Sequence, residues 1–228
     1  MTKTKFDVIN ESIRYTNYTA FQLNSPVSDP DEATAEFAAW QKSLEKREIT
    51  LRGAYDVRAL RGDAALLLWI HANTAEEIQD ALREFSRLSF GKHFQSTWSG
   101  MGLHRPAEFN RTHVPGFLLG HDAKDWVCVY PFVRSYDWYL IPEADRREML
   151  VEHGVAGHKY PNIISSTVAS FALGDYEWLL ALECDDLHEI VDMMRDLRYT
   201  QARLHVREEV PFFTGRLINY TQIGEIFS

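Results

Sequence analysis

Two cysteines in 228 residues, Cys128 and Cys184, are too few for a disulfide framework, and each falls in a stretch that reads as a strand. Long apolar runs are missing as well. The longest, Ala64–Ile70, falls far short of the roughly 20 residues that a bilayer span requires. The opening stretch, MTKTKFDVINESIRYTNY, lacks the apolar segment of a secretion signal. Long Lys/Arg runs are absent and the net charge is −9, a poor match for nucleic acid or an anionic membrane surface. No HExxH, CxxC or GxSxG occurs, and no GxGxxG follows a strand. His104, His113 and His121 are too irregularly spaced to suggest zinc. These absences leave a soluble cytoplasmic protein, with 45% hydrophobic residues to supply its core.

What is present is an internal repeat at an offset of 112 residues. Aligning Gly62–Phe85 with Gly174–Leu197 gives eight identities in 24 positions, among them Asp63/Asp175, Leu67/Leu179, Ile78/Ile190 and Arg83/Arg195. Each copy reads as a Gly-Asp turn, a buried strand (ALLLWIHA; YEWLLALE) and an amphipathic helix. Upstream, strand Tyr18–Leu23, a helix to about Glu45 and strand Thr50–Asp56 are matched by strand Trp126–Val133, helix Pro142–Ala156 and strand Ile163–Phe171. Closing strands are expected near Ser96–Leu103 and Phe212–Ile218. The order β-α-β-β-α-β, met twice, predicts an α+β fold of two tandem ferredoxin-like units whose sheets pair into a dimeric barrel within one chain. The expected division is residues 1–103, a connecting segment 104–125, and residues 126–228. A connection that long, with two prolines and three histidines, points to function.

Arg105–Tyr160 holds the residue types that carry chemistry. His153 lies three and four residues after Leu150 and Met149, so its imidazole is expected on a buried helix face, as a core histidine or as a ligand. Tyr130 sits mid-strand beside Pro131, which cannot donate to a sheet ladder and predicts an edge or bulge. His113 precedes Val-Pro on the connecting segment. A helix imidazole, a loop imidazole and a strand phenol near several arginines suggest an axial haem ligand, a distal base and a redox-active side chain. Arg203 and Arg207 are four apart and share a face if their segment is helical; the alternatives are a solvated salt-bridged face or carboxylate binding. Arg111, Lys124 and Arg216 are further cationic candidates.

Three fragments in order, RPAEFNRTHVPGF, VYPFVRSYDWYL and VEHGVAGHKY, resemble the coproheme decarboxylases, most of all the actinobacterial branch of this group within the chlorite dismutase-like superfamily. The resemblance runs from about Tyr15 to Arg216 and is densest from Gly102 to Gly215. It implies that iron coproporphyrin III is both cofactor and substrate, and that hydrogen peroxide drives loss of two propionates to give haem b. It also implies that His153, in its HG-x-x-G context, is the metal ligand, that His113 is the distal base, and that Tyr130 forms the radical that attacks the propionate. YPFVR resembles the family's YPM-x-K, so Tyr130, Pro131, Phe132, Val133 and Arg134 would line the porphyrin, with Arg134 in place of lysine. Trp138, Arg111 and Arg203 complete the implied binding set; His158 stands where relatives carry arginine. Strand NIISSTVASF has neither the glutamine nor the arginine that other branches place there. The resemblance further implies a homopentamer and a transient contact with coproporphyrin ferrochelatase. The alternatives are a haem peroxidase or chlorite dismutase-like enzyme, and a non-catalytic haem carrier.

Overall fold

The computed structural model describes residues 3–228. In chain order the elements are α1 (Lys5–Glu11), β1 (Tyr15–Leu23), α2 (Pro30–Glu45), β2 (Thr50–Asp56), β3 (Leu66–Ala72), α3 (Ala75–Phe85), β4 (Phe94–Leu103), β5 (Trp126–Arg134), α4 (Glu143–Gly157), β6 (Ile164–Ala169), β7 (Trp178–Cys184), α5 (Leu187–Leu197), β8 (Val206–Glu208), β9 (Phe213–Leu217) and α6 (Ile223–Ile226). No helix among the described residues is long and apolar enough to cross a membrane. The chain packs as two compact units. Ser12–His104 joins Phe213–Ser228 in one, and α1 joins Arg105–Phe212 in the other. The division therefore departs from the sequence boundaries at both ends of the chain.

In the unit built on Ser12–His104, the strand order is β4-β1-β3-β2-β9, with every pair antiparallel. Helices α2 and α3 cover one face. Asp29 Oδ1 accepts the Glu32 N–H at 2.9 Å to start α2, and Thr74 with Glu77 forms a reciprocal capping box at α3. Phe21, Phe37, Trp40, Phe85, Phe90, Phe94 and Phe227 interlock edge-on beneath these helices.

The other unit orders its strands β6-β7-β5-β8, again antiparallel, under α4 and α5. Its fourth strand is the three-residue β8, not Phe212–Ile218 as the sequence suggests. That later segment, as β9, pairs instead with β2 (Asp56 opposite Arg216). The reason lies in its contacts: Phe213 packs on Trp98 at 4.9 Å, and a Cβ on Gly215 would come within 2.8 Å of Tyr55 and Val57. β5 runs without a break past Pro131 against β7; the irregularity falls at Val133/Arg134, on the β8 side. β6 is shorter than expected, ending at Ala169.

His71 on β3 is buried, and its Nδ1 accepts the Arg14 Nε–H at 2.9 Å. That bond requires an unprotonated nitrogen. Burial, then the charges of Arg14 and Arg52, push its pKa down to about 3. An unfolded chain takes up this proton near the ordinary value of about 6.5, so the folded state loses ground as pH falls below it, by up to about 1.4 kcal/mol per pH unit. In urea unfolding from pH 7.5 to 4.5, the parent should lose stability more steeply than His71→Gln. Equal slopes would contradict this account.

Candidate functional site

The two copies of the repeat differ most in how a helix meets its sheet. The offset of 112 residues also pairs Pro30 with Pro142, aligning α2 with α4. α2 buries Ala33, Phe37, Trp40 and Leu44, whereas α4 buries none of its residues. At the matching positions α4 carries Met149 for Phe37, Glu152 for Trp40, His153 for Gln41 and Ala156 for Leu44. Gly154 and Gly157 follow, and a Cβ added at either would meet nothing within 4 Å. The expected buried face of Met149, Leu150 and His153 is thus only half-buried. Where one copy buries aromatic rings against its sheet, the other presents a half-buried histidine.

His153 is held as a neutral imidazole of defined tautomer. Thr200 is buried and spends its only hydroxyl hydrogen on Leu197 O at 2.9 Å. The Thr200 oxygen can then only accept, so His153 Nδ1, 3.4 Å away, is the donor. The lone pair is left on Nε2. Burial first, and then the charge of Arg134, holds the imidazole below the ordinary histidine pKa. His158, one residue past α4, is exposed and tied through Nδ1 to Gly154 O at 2.6 Å.

His113 sits at a junction in the connecting segment. Before it, Asn110 closes a turn, its side chain accepting from Thr112 N–H and Oγ1–H and its carbonyl from His113 N–H. After it, Val114, Pro115, Gly116 and Phe117 are buried, and Phe117 N–H donates to Ser166 Oγ on β6. Farther back, Phe109 lies under Arg146 and Arg147 of α4, and Glu108 pairs with Arg146. The His113 ring opens to solvent on one side. The protein packed behind it and the neighbouring His158 together lower its pKa.

Tyr130 shares the α5 side of β5 with Cys128 and is buried. Its ring stacks on Phe212 at 4.6 Å, and its hydroxyl donates to Met194 Sδ at 3.5 Å. Burial pushes the phenol pKa far up; the charges that bear on it include Glu209, Arg198 and Arg203. Val133 is buried, and half-buried Phe132 stacks on Trp178. Arg134 lays its guanidinium on Trp138 at 4.2 Å and on Phe132 at 5.0 Å, and no ion pair among the described residues includes it. Trp138 is itself buried, with His205 at 5.4 Å on its far contact.

The structure brings His113, Tyr130, Pro131, Phe132, Val133, Arg134, Trp138, His153 and Arg203 into one unit. It corrects the pairing of Arg203 with Arg207. The segment is a 3-10 turn at Gln201–His205 followed by β8, so the two do not share a helix face. Arg203 binds Glu209 at 2.9 Å, while Arg207 lies on exposed Tyr136. Arg111 is exposed near Asp7, Lys124 is paired with Asp185 at 2.8 Å, and Arg216 belongs to the other unit. Sequence reasoning missed Thr200, Arg198 and Glu209. No motif marks them, since each acts through a partner distant in sequence or through a turn. No group of three or more His, Cys, Asp or Glu among the described residues could hold a metal ion. An imidazole with its lone pair left on Nε2, on a helix that buries none of its residues and with the charge of Arg134 nearby, fits a metalloporphyrin carrying carboxylates.

A family model described as chlorite dismutase matches residues 30–218. A coproheme decarboxylase of Mycolicibacterium smegmatis is 47% identical over 222 residues, covering 96% of each chain. Among solved structures, a chlorite dismutase mutant from Candidatus Nitrospira defluvii superposes with TM-score 0.83 at 20% identity, covering 95% of this chain and 96% of that one. The enzyme of the same organism in complex with imidazole gives TM-score 0.83 at 19% identity, with 94% of each chain covered. At such identities the structural likeness establishes the fold alone.

The contrast between α2 and α4 is measurable. Phe37→Ala should cost roughly 3–5 kcal/mol in chemical denaturation, as expected for a fully buried ring. Met149→Ala, at the equivalent position, should cost under about 1 kcal/mol in the ligand-free protein. Similar losses at the two positions would mean that α4 packs as tightly as α2.

Proposed function

The chain belongs to the chlorite dismutase family, and we propose that within it this protein is a coproheme decarboxylase. It converts iron coproporphyrin III and two hydrogen peroxide into haem b, two carbon dioxide and four water. The observation that carries this reading is the joining, in one folding unit, of a neutral imidazole on an unfilled helix face, a cation resting on aromatic rings and a buried phenol. When bound, the iron of the substrate would activate peroxide, which is the oxidant.

The protein's own residues do the rest. His153 offers Nε2 to the metal, and Thr200 fixes the ring. Neutral His113 accepts a proton from peroxide; its lowered pKa keeps it a base at and somewhat below neutral pH. Tyr130 stays protonated under all working conditions, so it gives up a hydrogen atom, electron and proton together, and not an electron from a standing phenolate. The resulting phenoxyl radical takes hydrogen from a propionate β-carbon; loss of a second electron to the same peroxide equivalent then releases carbon dioxide and leaves a vinyl group. Arg134 and Arg203 orient the carboxylates, because hydrogen abstraction demands close approach. Pro131, Phe132, Val133 and Trp138 form the wall that holds Tyr130 and Arg134 in place, with Arg111 a peripheral cation. Assembly as a cytoplasmic homopentamer, with transient contact to a coproporphyrin ferrochelatase, belongs to the same reading.

Three variants test the roles. His153→Ala should greatly weaken iron coproporphyrin III binding or shift its absorption spectrum, while His158→Ala should leave both close to the parent. The opposite pattern would move the ligand to His158. Tyr130→Phe keeps the ring on Phe212 and deletes only the hydroxyl, so it should fold and bind substrate. It should still consume peroxide yet yield almost no haem b by porphyrin mass analysis. Full conversion at near-parent rate would place the radical elsewhere, with Trp138 the next candidate.

A further inference from the structure

Glu209 is the most enclosed carboxylate of the ion pairs in this unit, with a side chain 15% exposed. Two guanidinium groups converge on one of its oxygens: Arg198 at 2.8 Å, from the end of α5, and Arg203 at 2.9 Å, from the turn after it. The cluster carries one positive charge in excess. It lies beside the proposed reactive phenol, since Phe212, three residues beyond Glu209, stacks on Tyr130 at 4.6 Å. Glu208 and Val210 on either side are exposed, so the segment can turn the Glu209 side chain outward without unpacking a core.

We propose that Arg198 and Arg203 form the receptor for the propionate that reacts at Tyr130, and that Glu209 is a resident carboxylate which this propionate displaces. The proposal rests on the decarboxylase reading and deepens it. Exchanging one carboxylate for another keeps the two guanidinium groups paired throughout, avoiding the cost of a half-buried cation left alone. It also separates substrate from product. Once the propionate's carboxyl group has left as carbon dioxide, the porphyrin holds no anion there, and Glu209 returns to the arginines. Removing Glu209 should therefore favour a porphyrin bearing a carboxylate at this position and leave one bearing a vinyl group there nearly unaffected.

The test is spectral titration of the full-length protein with iron coproporphyrin III and, separately, with haem b, in the parent, Glu209→Gln and Arg198→Gln. Glu209→Gln should bind iron coproporphyrin III more tightly, on the order of fivefold, with haem b changed by less than about twofold. Arg198→Gln should weaken iron coproporphyrin III on the order of tenfold and haem b far less. Glu209→Gln that binds iron coproporphyrin III no better than the parent, or gains equally for both porphyrins, overturns the displacement. If Glu209→Gln does not fold, Arg198→Gln decides: equal losses for both porphyrins overturn the receptor. A parent that binds neither porphyrin would sink the decarboxylase reading itself, an outcome distinct from equal effects in a parent that binds both.

Discussion

A helix laid over a sheet is stabilised by the side chains it buries there, and in this protein one such helix, α4, buries none fully. In the unit with α2, the layer is packed with buried phenylalanine and tryptophan. In the repeat copy, α4 presents methionine, histidine, alanine and glycine at and beside the same positions. An open layer forfeits dispersion contacts and apolar burial, so it is a standing cost to folding. Everything distinctive about the second unit follows from it: the half-buried imidazole, the connecting segment folded against α4 through Phe109, and a strand wall bearing a phenol and a guanidinium. The duplicated fold thus gives one copy a filled aromatic layer and the other a half-buried imidazole beneath its helix.

Electrostatics divides the same way. The chain carries −9 overall, and several of its exposed arginines are paired with neighbouring carboxylates, as in Arg47–Glu84, Arg58–Asp56 and Arg83–Asp80. Exposed pairs of this kind add little stability. Arg134 stands apart because aromatic faces hold it, leaving its full charge to act on His153 and on any incoming anion. Arg198 and Arg203 share a single carboxylate. In a chain of net negative charge, these three guanidinium groups within one unit suit a ligand with carboxylates.

Much of the fold is legible in the sequence because its signals are long. α2 and β2 were bounded at Glu45 and at Thr50–Asp56 by turn residues and periodicity, and the structure places them there. α1 has seven residues and β8 three, too few for a periodic pattern to rise above chance. Phe212–Ile218 reads correctly as a strand, but apolar alternation cannot tell which sheet edge it joins; Gly215 against Tyr55 decides that. Candidate residues embedded in motifs, such as His153 and Tyr130, stand out in the sequence. Thr200 and Glu209 do not, because a threonine beside an imidazole and a glutamate between two arginines look ordinary until their partners are known.

The rival readings differ in what they ask of Tyr130. A carrier needs an axial imidazole and cations for carboxylates, and has no use for a phenol whose hydroxyl is buried against sulfur. A peroxidase passes oxidising equivalents to small donors arriving from solvent, which favours an exposed ring. Tyr130 is buried under Phe212, its phenolate form is strongly disfavoured, and its neighbours are fixed. Those conditions suit a hydroxyl that loses and regains a hydrogen atom while water is kept away from a reactive radical. For chlorite chemistry, β6 would have to carry the distal arginine of that branch, and Ile164–Ala169 reads ISSTVA. The environment of one phenol therefore discriminates among readings that share this fold.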